Sequence, residues 1–199
     1  MPLFKTIGRL ILASASPRRR YLLQELGLDF EVMESQVEEK PLPGETPLEF
    51  VLRAACDKAG AVSASNTEAW VLGADTVVIC DDLILGKPGD AEQAAMILLA
   101  LSGRSHLVHT SFCLQNGKEG VSVSRVVTTE VLFSPFSKEI AAAYVATGEP
   151  LDKAGAYGIQ GCGGFLVEKI NGSYSNVVGL PLAEVVEELL RHRVITPGK

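Results

Sequence analysis

What this sequence lacks narrows its reading first. No apolar stretch reaches about 18 residues, the length a helix needs to cross a bilayer. The opening MPLFKTIGRL has no long apolar segment before a small-residue cleavage site, so neither a membrane span nor a signal peptide is expected. There is no G-x-x-x-x-G-K-[ST] run and no G-x-G-x-x-G run, which argues against a P-loop and against a Rossmann dinucleotide site. The four cysteines, Cys56, Cys80, Cys113 and Cys162, form no C-x-x-C pair and sit among apolar or glycine residues; they read as reduced packing residues of a cytoplasmic protein. Of the three histidines, His106 and His109 lie three apart with no cysteine or acid at ligand spacing, a poor match to zinc, and His192 reads as solvated. Cations are outnumbered: 18 Lys and Arg stand against 24 Asp and Glu, a net charge of -6. That balance argues against nucleic acid or an anionic membrane as partner, while a small polyanion remains open if the basic residues are focused in one place. No internal repeat and no long linker is present.

What is there suits a globular chain. At 199 residues, 47% hydrophobic and 21% charged, it matches one substantial domain over 1–199, or one domain with two lobes around a cleft. A chain of this size buries about 70% of its unfolded surface and needs no disulfide or metal to fold.

The stretch LILASASPRRR, residues 10–20, is the most unusual. Leu10 to Ala13 reads as a buried strand, Ser14-Ala15-Ser16 as small residues that let a ligand approach, and Ser16-Pro17 as an N-cap followed by proline at the first helical position. Arg18, Arg19 and Arg20 then fall in a first helical turn, where the macrodipole already places partial positive charge. Free N–H groups, hydroxyls and guanidiniums together would suit a phosphate; without a ligand the turn is a solvated basic surface. Tyr21, Leu22, Leu23 and Leu26 continue the helix to Gly27.

Further along, Phe30 to Met33 is a short strand candidate, followed by Val37-Glu38-Glu39-Lys40 and a Pro/Gly loop. Thr46-Pro47-Leu48-Glu49 is a capping box that opens a helix ending near 60–63, with Lys58 on it. AWVLGADTVVIC, residues 69–80, is strand-like on both sides of Gly73-Ala74-Asp75-Thr76. A carboxylate in so apolar a run is paired, hydrogen-bonded or metal-bound, unless Gly73 makes a bulge that turns it out. Asp81-Asp82 reads as a hairpin turn, Ile84-Leu85 as its return strand, and Gly86-Lys87-Pro88 as a loop that aims Lys87. Asp90 caps the next helix, which Gly103 ends. Strands at 107–114 and 121–133 flank Asn116-Gly117, a hairpin signal. A helix at 137–146 stops at Gly148. Glu149-Pro150-Leu151-Asp152-Lys153 leads into the glycine-rich AGAYGIQGCGG, where backbone approaches closely and Lys153 and Gln160 stand. A strand at 165–170 and an amphipathic helix from Leu182, with Glu184, Glu187 and Glu188 on its polar face, complete the regular pattern, and TPGK reads as a frayed tail. Alternating helices and strands with inserted strand pairs predict an α/β fold: a mixed twisted sheet with flanking helices.

Cations tied to special backbone (Arg18, Arg19, Lys58, Lys87, Lys153) and candidate hard-cation ligands (Asp75, Glu38, Glu39) suit attack of water on a phosphoric anhydride. Mg²⁺ takes one or two carboxylates together with substrate phosphate oxygens. The residues alone reach a metal-dependent enzyme of phosphate esters or anhydrides and stop there.

The chain also resembles the Maf family of nucleoside triphosphate pyrophosphatases. The likeness rests on LILASASPRR at 10–19, VEEK at 37–40, LGADTVV at 72–78, LGKP at 85–88, LSGRSH at 101–106, GEPLDKAGAYGIQG at 148–161 and NVVGLPL at 176–182. It implies cleavage between the α- and β-phosphates of a nucleoside triphosphate, and an α/β fold with two lobes around a deep cleft, similar to the inosine triphosphate pyrophosphatases. It also implies dependence on a divalent cation, Mg²⁺ or Mn²⁺, a cytoplasmic location, and an assembly that is often a homodimer. Asp75 matches the family's catalytic acid, as proton acceptor or metal ligand. Ser14, Arg19, Lys58, Lys87 and Lys153 match its phosphate-binding positions, and Glu39, rather than Glu38, its second acidic position. Arg18, Thr76 and Gln160 match the branch acting on dTTP and UTP. The branch acting on 7-methyl-GTP has Trp, Gln and an acid at those three positions. A neutral amide such as Gln160 can both donate and accept, which suits the O4/N3–H edge of thymine or uracil. The resemblance leaves two alternatives: a pyrophosphatase for 7-methyl-GTP or non-canonical purine triphosphates, and a nucleotide-binding regulator of septum formation.

Overall fold

Residues 2–198 are described in a computed structural model. In chain order the elements are β1 (Phe4–Thr6), β2 (Leu10–Ala13), α1 (Pro17–Glu25), β3 (Glu31–Val32), α2 (Pro47–Ser63), β4 (Trp70–Cys80), β5 (Leu83–Leu85), α3 (Ala91–Leu101), β6 (Ser105–Asn116), β7 (Val121–Phe133) and α4 (Lys138–Ala146). Three 3₁₀ turns follow (Glu149–Asp152, Ala154–Ala156, Cys162–Leu166), then β8 (Val167–Asn171), α5 (Tyr174–Val178), α6 (Leu182–Arg191) and β9 (Ile195–Pro197). The main sheet has the order β3-β2-β4-β6-β7-β8, with β5 on β4. It is mixed: β2 pairs in parallel with β3 and β4, while β4/β5 and β7/β8 are antiparallel. This is the expected α/β class. Among the described residues no helix is long and apolar enough to cross a membrane.

The chain divides into two compact units, and β4, β6 and β7 each change unit within the strand. The first comprises Met1–Asp75, Thr110–Val127 and Gly179–Lys199. Its core joins Ile11, Ala13, Ala55, Ala59, Val62, Val71 and Cys113. The capping box forms as expected: Thr46 accepts from the Glu49 N–H, and the Glu49 carboxylate accepts from the Thr46 N–H at 2.8 Å. Gly73 turns out to serve packing rather than a kink. β4 runs uninterrupted, and a Cβ built on Gly73 would lie 2.4 Å from the Ala55 carbonyl oxygen and 2.7 Å from the Ala59 nitrogen. The absent side chain, with alanines opposite, lets α2 lie directly on β4.

Three expectations for this unit need correction. The tail is not frayed: Ile195, Thr196 and Pro197 pair antiparallel with Thr6, Lys5 and Phe4, and Gly198 N–H donates to the Leu3 carbonyl at 2.9 Å; Lys199 lies outside the described residues. Glu188 is fully buried rather than on a polar face, with Arg125 from β7 and Arg191 against its carboxylate. His192 is half-buried, its ring 5.4 Å from that of Trp70. Helical period places Glu188 beside Leu189, and only the arginine from a distant strand makes burial tolerable.

The second unit comprises Thr76–His109 and Thr128–Val178. Leu98, Leu101, Val108, Val131, Phe133, Tyr144 and Tyr157 build its core. Asp81 and Asp82 take left-handed φ of 50° and 62°, as a two-residue hairpin turn requires. His106 and His109 are packing residues here: His106 Nε2 lies 2.8 Å from the Tyr157 hydroxyl, and His109 Nδ1 lies 2.8 Å from Thr128 Oγ1. The short helix α5 is held by Asn176, whose amide donates to the Val108 carbonyl and to Thr129 Oγ1. The four cysteines are free; Cys80 and Cys113 are buried, Cys56 is half-buried, and Cys162 is exposed, contrary to the packing role expected for all four.

Candidate functional site

Asp75 stands in the interior of β4 and is 5% exposed. An unpaired carboxylate there would cost several kcal/mol. It is paired: Lys58 Nζ donates to Asp75 Oδ1 at 2.7 Å. Lys58 reaches it because Gly73 brings α2 onto the strand two residues earlier. The same ammonium lies 2.8 Å from Glu39 Oε1. Glu39, not Glu38, therefore joins the site; Glu38 pairs with Lys40 in solvent. The segment carrying Glu39 is tied to α2 by Arg53, which donates to the Lys40 carbonyl at 2.9 Å and to Glu45 Oε1 at 2.7 Å. That bond holds the Glu45 carboxyl well below the usual carboxylate range. Lys58 thus has a structural partner and a chemical setting at once, beyond the ease of a cation near a helix C-terminus.

The arginine turn divides into three fates. Arg20 is exposed, Arg18 half-buried, and Arg19 buried. Arg19 Nη1 donates to Ser14 Oγ at 2.9 Å and Nε to the Gly179 carbonyl at 2.8 Å. Burial pushes the Arg19 guanidinium down from its ordinary pKa; the charges of Asp75 and Glu39 oppose that, and Arg18 adds to it. Ser14, Arg18, Arg19, Glu39, Lys58 and Asp75 thus share one electrostatic neighbourhood within the first unit. Ser16 occupies the N-cap position, as expected, but its side chain makes no cap bond. Its N–H instead donates to Ser14 Oγ at 3.3 Å. Sequence reasoning missed the Gly179 carbonyl. Its only local signal is a glycine at φ 125° inside the quoted NVVGLPL.

The remaining four candidates belong to the second unit. Thr76 follows Asp75 in the same strand, so the two side chains point to opposite faces. Lys87 is exposed on the loop after β5; the neighbouring Gly86 carbonyl accepts from the Gly155 N–H at 3.2 Å. That bond ties the Lys87 loop to the turn after Lys153. Gly155 has φ 70°, and a Cβ there would meet Val78 Cγ1 at 2.9 Å. Lys153 Nζ donates to the Glu149 carbonyl at 2.5 Å and to Asp152 Oδ1 at 2.6 Å. Its stem lies where a Cβ on Gly158 would stand, 2.7 Å from Cε. Gln160 is half-buried in the glycine loop.

Could these residues hold a divalent cation? Glu39 and Asp75 converge on one point, where Lys58 Nζ supplies the positive charge. Two carboxylates fit a Mg²⁺ or Mn²⁺ that completes its shell with water and substrate phosphates, the usual manner of Mg²⁺. They do not make an all-protein cage: among the described residues no group of three or more His, Cys, Asp and Glu is placed to hold a metal.

A family model described as Maf-like protein matches residues 9–192. A dTTP/UTP pyrophosphatase of Desulfotalea psychrophila is 53% identical over 194 residues, covering 98% of this chain and 100% of the relative. A dTTP/UTP pyrophosphatase of Geobacter sulfurreducens is 50% identical over 92% of this chain and 96% of its own length. One from Anaeromyxobacter dehalogenans is 51% identical over 92% and 93%. A solved structure of a nucleoside-triphosphatase / dITP/XTP pyrophosphatase from Mycobacterium abscessus aligns over 93% of this chain and 94% of its own at 16% identity and a TM-score of 0.47, a likeness too loose to reason from. With a family model spanning all but the ends, and relatives near half identity over almost its whole length, this chain belongs to the Maf-like protein family.

Proposed function

We propose that this chain hydrolyses dTTP and UTP to the nucleoside monophosphate and diphosphate. The observation that carries the reading is the buried Lys58 ammonium held between Asp75 and Glu39, 2.7 and 2.8 Å away. Asp75 alone would neutralise the Lys58 charge; the second, half-exposed acid brings two carboxylates to one point, the donor set a divalent cation takes in a polyanion site. The relatives named dTTP/UTP pyrophosphatase support the substrate class.

In this reading Asp75 accepts the proton of the attacking water or holds the metal. Its neighbour Lys58 holds it in place through the 2.7 Å hydrogen bond. Glu39 and Asp75 would hold a Mg²⁺ or Mn²⁺, which when bound supplies charge for the phosphate oxygens and activates water. Arg18, Arg19 and Ser14, clustered at the start of α1, offer guanidinium and hydroxyl donors to phosphate. Arg19 is oriented for this by the Gly179 carbonyl and Ser14. Lys87 and Lys153 are assigned to phosphate, and Arg18, Thr76 and Gln160 to base selection, by motif position. A nucleotide partner, a cytoplasmic setting and a homodimer complete the proposal. The test is a panel of triphosphates, including dTTP, UTP, dCTP, dITP, GTP and 7-methyl-GTP, assayed for diphosphate release with Mg²⁺ or Mn²⁺. Preference for dTTP and UTP is expected. A preference for 7-methyl-GTP or dITP, or binding of every nucleotide without turnover, refutes the reading.

A further inference from the structure

The loop that carries Gln160 is pinned from both sides by one pair of residues that no motif reading assigned. Glu149 opens the first 3₁₀ turn, and Tyr144 sits near the end of α4. The Tyr144 hydroxyl donates to Glu149 Oε1 at 2.8 Å and accepts from the Gly158 N–H at 3.1 Å. Glu149 Oε1 accepts from the Gly163 N–H at 3.1 Å, and Oε2 from the Cys162 N–H at 3.0 Å. Gln160 therefore stands midway between two anchored amides, at 158 and 162. The glycines are required for this. A Cβ on Gly161 would meet Glu149 Oε2 at 2.9 Å, and one on Gly163 would meet the Tyr144 hydroxyl at 2.3 Å. The same Glu149 also offers its carbonyl to Lys153 Nζ at 2.5 Å. Burial opposes ionisation of Glu149, but the tyrosine and the two amides outweigh it and hold the carboxyl below its ordinary value.

An amide side chain on an unanchored loop discriminates poorly between thymine and cytosine. By turning over it can present a donor or an acceptor to either base edge. Discrimination needs the amide's position fixed before the base arrives, so that the wrong base leaves a buried group unpaired. We propose that Glu149 and Tyr144 are positioning residues for base selection: they fix the 158–163 loop so that Gln160 meets the O4/N3–H edge in one orientation. This rests on the pyrimidine triphosphatase reading above.

The experiment measures kcat/KM for dTTP and dCTP, with thermal melts, on the full chain and on Glu149→Gln, Tyr144→Phe and Gln160→Ala. Glu149→Gln keeps the shape but turns one acceptor into a donor facing an N–H. Tyr144→Phe removes the hydroxyl and keeps the ring, and stands in should the first variant fail to fold. Each is expected to lower the dTTP-to-dCTP ratio by roughly tenfold, the equivalent of one lost hydrogen bond, approaching the ratio of Gln160→Ala and acting mainly through KM for dTTP. A lowered melting temperature with an unchanged ratio overturns the proposal and leaves a structural role. An unchanged ratio in Gln160→Ala overturns it too, since there is then nothing to position. A parent chain that already treats dTTP and dCTP alike fails the base reading itself, a result visible before any variant is compared.

Discussion

Replacing Asp75 by Asn separates chemistry from folding at one atom. Asparagine keeps the volume and an oxygen that can accept from Lys58 Nζ, now at 2.7 Å from Asp75 Oδ1. What goes is a charge. Removing one partner of a buried ion pair costs about 3–5 kcal/mol when the other charge is stranded. Here it is not stranded, because Glu39 remains 2.8 Å from the same ammonium. A cost of about 1–3 kcal/mol follows, within a typical stability of about 5–15 kcal/mol, so the variant folds. A side chain that transfers a proton in the transition state contributes about 10²–10⁴ in rate. Diphosphate release at saturating dTTP and Mg²⁺ should fall by at least about a hundredfold. KM for the polyanionic substrate should stay level or drop, since a negative charge has been removed. Circular dichroism melts run beside the assay establish folding. Near-normal turnover in a folded Asp75→Asn protein would refute the role given to this carboxylate.

Other consequences are equally direct. Gly73→Ala places a methyl 2.4 Å from the Ala55 carbonyl oxygen, so α2 must lift off β4; about 1–3 kcal/mol of stability should go, read by urea melts, together with activity as Lys58 withdraws from Asp75. Chelation of divalent cations should abolish turnover, and Mg²⁺ or Mn²⁺ should restore it; full activity in excess chelator contradicts the paired-carboxylate reading. Burial depresses His106 to a pKa of about 4, from 6.5. The folded state thus keeps this ring neutral while the unfolded chain binds a proton, so stability present above pH 6.5 is lost as pH falls towards 4. The loss from this group is about 3 kcal/mol, and a His106→Gln variant should show a flatter stability profile over that window.

Much of the fold was legible because it is written in local periods. The capping box at Thr46, the apolar run around Asp75 and the Asp81-Asp82 turn each carry their signal within a few residues. The site was half legible. An acid inside an apolar strand announces that it has a partner, but not which one. Lys58 is a candidate cation in the sequence, but its pairing with Asp75 depends on α2 lying on Gly73, which no local pattern shows. Arg19 and the Gly179 carbonyl are 160 residues apart, and no pattern in either stretch names the other. Glu188 failed for the same reason. Its burial depends on Arg125, which lies on the distant strand β7. The short strands β1 and β9 escaped because three residues of pairing leave no periodicity to read.

The most direct test of the whole account is the identity of the products. Chromatography of dTTP incubated with this chain and Mg²⁺ should show dTMP and diphosphate in equal amounts, with no dTDP. Formation of dTDP with orthophosphate, or dTTP left intact, would contradict it.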